Sequence, residues 1–206
     1  MLIQLVAVLL VAAYHVSGAV RAACAALATM KSNGGLAFAA ASAAVAGGLL
    51  PEVAKVITDR GRNPLSGRGG EVSFNVAFFA FNGVVVDVLY RVEARLFGTE
   101  ASMGTIAEKT AFDQFVFNPV WLALIVALYA WRAHGFSLTA TLSVLRTGGS
   151  FYKTRVVPLL LPSWCFWIPM VLIIYSLPVP LQFLLFVLAL GAGSLILVVI
   201  AGAKAT

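Results

Sequence analysis

Six polar side chains stand out by their apolar surroundings: Asn75, Asn82 and Asp87 in one hydrophobic segment, Asp113, Gln114 and Asn118 in or at the mouth of another. Carboxylates and amides so placed can do two kinds of work. They can line a solute path with hydrogen bonds and charge, as a pore requires. Alternatively, they can bond helix to helix, at about 0.6 kcal/mol for each interhelical hydrogen bond in a membrane. Asp87 is the sharpest case. It precedes Arg91 by four residues, the spacing of a helical ion pair at a membrane boundary. Placed deeper, a carboxylate turned toward lipid would cost about 3 kcal/mol, so it must then face protein or water. Enzyme chemistry is not suggested. There is no HExxH, no GxSxG, no pair of carboxylates on one helix face, and only two histidines. Catalytic residues, metal and cofactor are all expected to be none. Cys24 and Cys165 have neither CxxC nor metal-ligand spacing and read as small packing residues.

These residues need an apolar frame, and the composition supplies it. Of 206 residues, 61% are hydrophobic and 11% charged, with a mean hydropathy of +0.98. A water-soluble domain carries nearer to a quarter charged residues and could not hide this much apolar side chain. The chain is therefore read as one integral membrane domain over 1–206, all-α, a polytopic transmembrane helical bundle of four to six spans plus a short interfacial amphipathic helix. The net charge of +6 could suggest nucleic acid, but the basic residues flank apolar segments. Arg60, Arg62, Arg68, Arg132, Lys153 and Arg155 are expected to set topology and meet anionic lipid headgroups, with no nucleic-acid partner.

Six apolar segments follow one another. Leu2 to Val20 lacks the leading cation of a signal peptide and reads as an uncleaved helix, with His15 a packed or interfacial residue. Thr29 to Gly35, carrying Lys31 and two glycines, reads as a loop. Leu36 to Ile57 is rich in Ala, Gly and Ser, as a close-packing helix should be; Pro51 should kink it, and Glu52 and Lys55 stand close enough to pair. Asp59 to Gly70 is a basic, glycine-rich loop without P-loop spacing. Val72 to Arg91 carries the first three polar candidates, and a mixed-charge loop covers Glu93 to Glu108. The fourth segment opens on Lys109 to Pro119, where Thr110 with Asp113, or Thr105 with Glu108, could cap a helix start. Gln114, Asn118 and Trp121 share one helical face. Phe136 to Arg146 is too short to span and reads as the interfacial helix. Pro158 to Leu177, with three prolines, is expected to be kinked or partly re-entrant, and Leu181 to Ala203 is a clean span.

The order of these features resembles the Mpv-seventeen / peroxisomal membrane protein family over roughly residues 30 to 203. Asp113 and Gln114 with Phe117 and Pro119 match that family's Asp-Gln-x-x-Phe-x-Pro run. Gly83 and Tyr90 fall at the spacing of its Gly-Pro-x-x-His-x-Trp-Tyr segment, followed by Arg95-Leu96-Phe97-Gly98. Tyr152, Trp164, Trp167 and Pro178 are similar to its Trp-rich and Asn-Phe-x-x-Val-Pro run. The chain departs at Asp87, where the family has His, at Val84 for Pro and at Leu89 for Trp. Met170, Ile173 and Gln182 replace its Gln, Asn and Arg, and Trp167 falls against a Pro.

The resemblance implies a small polytopic protein of the mitochondrial inner membrane, with other organellar or bacterial inner membranes as alternatives. It implies weakly selective solute permeation or membrane homeostasis, with Asn75, Asn82, Asp87, Asp113, Gln114 and Asn118 lining a polar path. The alternative is a non-catalytic accessory subunit of a larger assembly such as a respiratory complex. Trp164 to Ala203 holds no charged residue, which suits contact with lipid or protein. Expected partners are the lipid bilayer and anionic lipids, with a homo-oligomer or a larger complex as the assembly.

Overall fold

The computed structural model describes residues 2–58, 65–145 and 151–203. It is an all-helical, polytopic membrane bundle, and no strand occurs among the described residues. In chain order the elements are α1 (Leu2–Val16), α2 (Gly18–Ala43), α3 (Leu50–Thr58), α4 (Gly69–Phe97), α5 (Met103–Phe112), α6 (Asn118–Ala133), α7 (Leu138–Leu145), α8 (Val157–Tyr175) and α9 (Val179–Ala203). One-turn π-helices join α2 to α3 (Ala44–Leu49) and α5 to α6 (Asp113–Phe117), and a third leads into α8 (Tyr152–Val156). Five stretches are long and apolar enough to cross a bilayer: Gly18–Thr58, Gly69–Phe97, Met103–Ala133, Tyr152–Tyr175 and Val179–Val199. The eight-residue α7 is the short helix foreseen after Phe136.

Local chemistry explains where helices stop. The first apolar segment breaks at Ser17, whose extended backbone caps α2 by accepting from the Val20 amide. That leaves α1 at 15 residues, short of the roughly 20 a full span needs. The expected loop at Thr29–Gly35 is instead helical up to Gly35, where φ of 51° and ψ of −132° interrupt the helix. Only glycine takes that conformation without strain. Beyond it, Leu36 to Thr58 extends on the order of 34 Å at 1.5 Å per residue, enough to cross.

Neither proposed capping pair starts a helix. The fourth span begins at Met103, so Thr110 and Asp113 lie inside it. Glu93, assigned to a loop, is inside α4, which runs on to Phe97. α8 is an unbroken helix through Pro162 and Pro169, not a re-entrant one.

The three π-helices share one cause. Each is followed by a residue that directly precedes a proline, and in each case the backbone N–H of that residue bonds five back: Leu50 to the Val45 carbonyl, Asn118 to Asp113, Val157 to Tyr152. Pro51, Pro119 and Pro158 follow. A proline ring crowds the carbonyl four residues earlier, and a widened turn makes room for it. Because proline has no N–H, the next carbonyl in the wider register is left without its helical donor. In hydrocarbon such a carbonyl must find another partner.

The contacts divide the chain into two compact units. The first comprises 1–102 with 173–206, the second 103–172. Within the first, the small residues pack closely, as their composition suggested. A Cβ at Gly83 would meet the Ala39 carbonyl and lie 2.5 Å from the Ala43 side chain; one at Gly48 would lie 2.8 Å from the Val76 Cα. Ala46 packs in turn on Gly191 of α9. Tyr90 of α4 completes this core, edge-on to Tyr175 and Phe186 at 5.7 and 6.3 Å.

Candidate functional site

In the first unit, the polar residues gather into two clusters on α4. At the first, Asp87 is 1% exposed and takes two cations. Lys31 of α2 approaches its Oδ1 at 2.5 Å, and Arg91 donates to Oδ2 through Nε and Nη2 at 2.9 and 2.7 Å. Lys31 also sits 5.7 Å from the Phe183 ring centre, a cation–π contact. Arg91 follows from the sequence spacing, whereas Lys31 is the partner that spacing could not supply. A lysine within a helix that carries no acid must find its anion elsewhere, and this one comes from 56 positions on. Asn82 is buried one turn back along α4. On the other side of Arg91, Glu93 is fully buried and accepts a 2.6 Å bond from the Tyr175 hydroxyl.

At the second cluster, Glu52 of α3 is buried and gathers Lys55 at 2.7 Å, the Asn75 amide at 2.9 Å and the Arg68 guanidinium. Arg68 also donates to both oxygens of Glu71, at 3.1 and 3.2 Å. The hydrogen bond that Arg68 donates to Glu71, helped by the charge of Glu52, outweighs partial desolvation and holds Arg68 above even its usual high pKa. Two carboxylates and two cations balance here. Arg68, expected to face lipid headgroups, is thus engaged with protein carboxylates. Arg60 and Arg62 lie outside the described residues.

In the second unit the π-helix at Asp113–Phe117 buries Asp113 and Gln114. Asn118, one turn on, donates to the Gln114 side chain at 3.2 Å and to Ser163 of α8 at 3.1 Å. The Gln114 carbonyl is the one that Pro119 leaves without a helical donor, and the Trp164 indole donates to it at 2.9 Å. Proline, widened turn and tryptophan thus form one device linking α6 to α8. Trp121 stacks on Phe117, with ring centres 5.8 Å apart. Of the remaining basic candidates, Lys153 and Arg155 are exposed on the third π-helix, and Arg132 is half-buried at the end of α6. Among the described residues no group of three or more His, Cys, Asp or Glu is placed to hold a metal ion.

The six polar candidates are thus distributed three to each unit. Asn75 and Asp87 in the first, Gln114 and Asn118 in the second, reach a neighbouring helix through a direct bond, an ion pair or a bonded partner. Along α4, Asn75 and Asp87 are twelve positions apart, about 18 Å of helix against a hydrocarbon core of about 30 Å. Comparison with known proteins adds nothing further: no family model, curated protein or solved structure matches the chain.

Proposed function

We propose that the chain is a non-catalytic multi-pass membrane protein of the Mpv-seventeen / peroxisomal membrane protein type, serving as a structural or accessory component of a larger inner-membrane assembly. The observation that carries this reading is how the intramembrane polar groups are used. Asp87 is neutralised by Lys31 and Arg91, Glu52 by Lys55 and Arg68, and Asn118 joins Gln114 to Ser163. A side chain spent on a neighbouring helix holds a bundle together. Native electrophoresis of the gently solubilised membrane, followed by mass spectrometry, tests the proposal. Stoichiometric co-migration with a large complex is expected, and a lone species of monomer size would refute it. Cell fractionation with protease protection tests the inner-membrane placement.

One observation favours weakly selective permeation as a second reading. Asn75, Asn82 and Asp87 follow one another along about 18 Å of α4, so the apolar intervals between them are shorter than the membrane core, which lowers the barrier to a polar solute. Reconstituted protein would then conduct, and Asp87→Ala and Asp113→Ala would alter that conductance. Unchanged conductance in both variants would rule out this lining.

A further inference from the structure

Within the first unit, α1, α2 and α9 enclose a groove of about 100 Å³. Its walls are Leu10 and Tyr14 of α1, Val20, Cys24 and Leu27 of α2, and Leu181 to Leu188 on one side of α9. A space of this volume could hold a few waters, but each would need two or more polar partners, and these walls offer almost none. Hydrocarbon is the matching occupant. The groove is open to the outside, since Leu10, Leu27 and Leu188 are 43, 46 and 59% exposed. On α9 its walls lie within a stretch apolar enough to cross the bilayer.

Arg21 says which hydrocarbon. It follows Val20, and its guanidinium bonds the carbonyls of Tyr14 and His15 at 3.4 and 2.9 Å, so its charge is held beside the groove where α1 meets α2. Arg21 is exposed and has no carboxylate partner among the described residues, unlike Arg68 and Arg91. Bonds to two neutral carbonyls orient the guanidinium without neutralising it, and leave donors for a phosphate oxygen. We propose that this groove is a binding site for an anionic phospholipid, one acyl chain lying between α2 and α9 and the phosphate on Arg21.

The test uses full-length protein in nanodiscs of phosphatidylcholine with a minority of phosphatidylglycerol, each lipid in turn carrying a photoactivatable diazirine in its acyl chain. Adducts are mapped by peptide mass spectrometry. Phosphatidylglycerol adducts should concentrate on Val20–Leu27 and Leu181–Leu188, well above its share of the bilayer. The exposed apolar face of α6 in the same molecules serves as the reference. Arg21→Gln should lower that enrichment about tenfold, the weight of one charge-assisted bond to phosphate, while Arg21→Lys retains most of it. Leu184→Trp, which fills the groove, should reduce adducts from both lipids there. Adducts spread evenly over the groove and α6, or a groove ratio equal to the bulk lipid ratio, would show ordinary annular lipid and overturn the proposal. The wild-type ratio alone decides this, whatever the stability of the variants.

Discussion

Replacing Asp87 with Ala should be among the most damaging single changes in the first unit, and its cost can be apportioned. The carboxylate is 1% exposed, with Lys31 at 14% and Arg91 at 50%. Removing one partner of a buried ion pair costs about 3–5 kcal/mol, because the other charge stays buried and uncompensated. Arg91 is half in solvent and can rehydrate, so its share is below about 1 kcal/mol, as for a surface pair. Lys31 carries the remainder, since besides Asp87 its ammonium meets the face of Phe183, which cannot replace a carboxylate. A double-mutant cycle should therefore give a coupling of about 2 kcal/mol or more for Lys31 with Asp87, and below about 1 kcal/mol for Arg91 with Asp87. Replacing both with apolar residues, Lys31→Met with Asp87→Leu, should recover most of the loss. The assay is unfolding by SDS titration from dodecylmaltoside micelles, followed by far-UV circular dichroism. If the single costs of Lys31→Met and Asp87→Ala simply add, to within about 0.5 kcal/mol, the two residues are energetically independent and the reasoning fails.

Three further outcomes are expected in the same assay. Trp164→Phe strips the donor from the Gln114 carbonyl and should cost about 1–3 kcal/mol; Pro119→Ala restores a backbone N–H and should reduce that cost, whereas an undiminished loss would mean the indole acts only by packing. Gly83→Val drives a branched side chain into the Ala39 carbonyl and should destabilise by about 1–3 kcal/mol or prevent folding, while Gly70→Val, at a site with open space, should be nearly silent. Glu52→Gln should cost about 2 kcal/mol, less than a fully orphaned partner, because Arg68 keeps Glu71; a loss no larger than that of Glu71→Gln would show that burial of Glu52 is immaterial.

The polar pairs differ in how visible they were before the fold was known. Asp87–Arg91 and Glu52–Lys55 sit three or four residues apart, so helical geometry alone predicted them. Gln114, Asn118 and Trp121 were placed on one face for the same reason. Lys31 on Asp87, Arg68 and Asn75 on Glu52, Tyr175 on Glu93 and Trp164 on the Gln114 carbonyl join distant positions, and no periodicity marks such pairs. The capping reading of Thr110 and Asp113 went wrong because polar residues near a proline suggest a helix start, whereas here the helix passes through and widens. Pro51 was expected to kink its helix. That it acts through a five-back turn, the same turn found ahead of Pro119 and Pro158, appears only in the backbone.

By itself the sequence determined that this is a helical, multi-pass membrane protein. Apolar runs of spanning length with so few charges have no other way to satisfy their backbone in a bilayer. It also determined where chains of small residues must pack closely and which charges pair along one helix. The tertiary structure decided how the intramembrane polar groups are used. Asp87, Glu52 and Gln114 turn inward to partners on other helices, because in a low-dielectric medium an unpaired charge or carbonyl is more costly than ordering the side chain that reaches it. It also showed that the Arg21 guanidinium is held by the carbonyls of Tyr14 and His15, a contact that no spacing in the sequence marks.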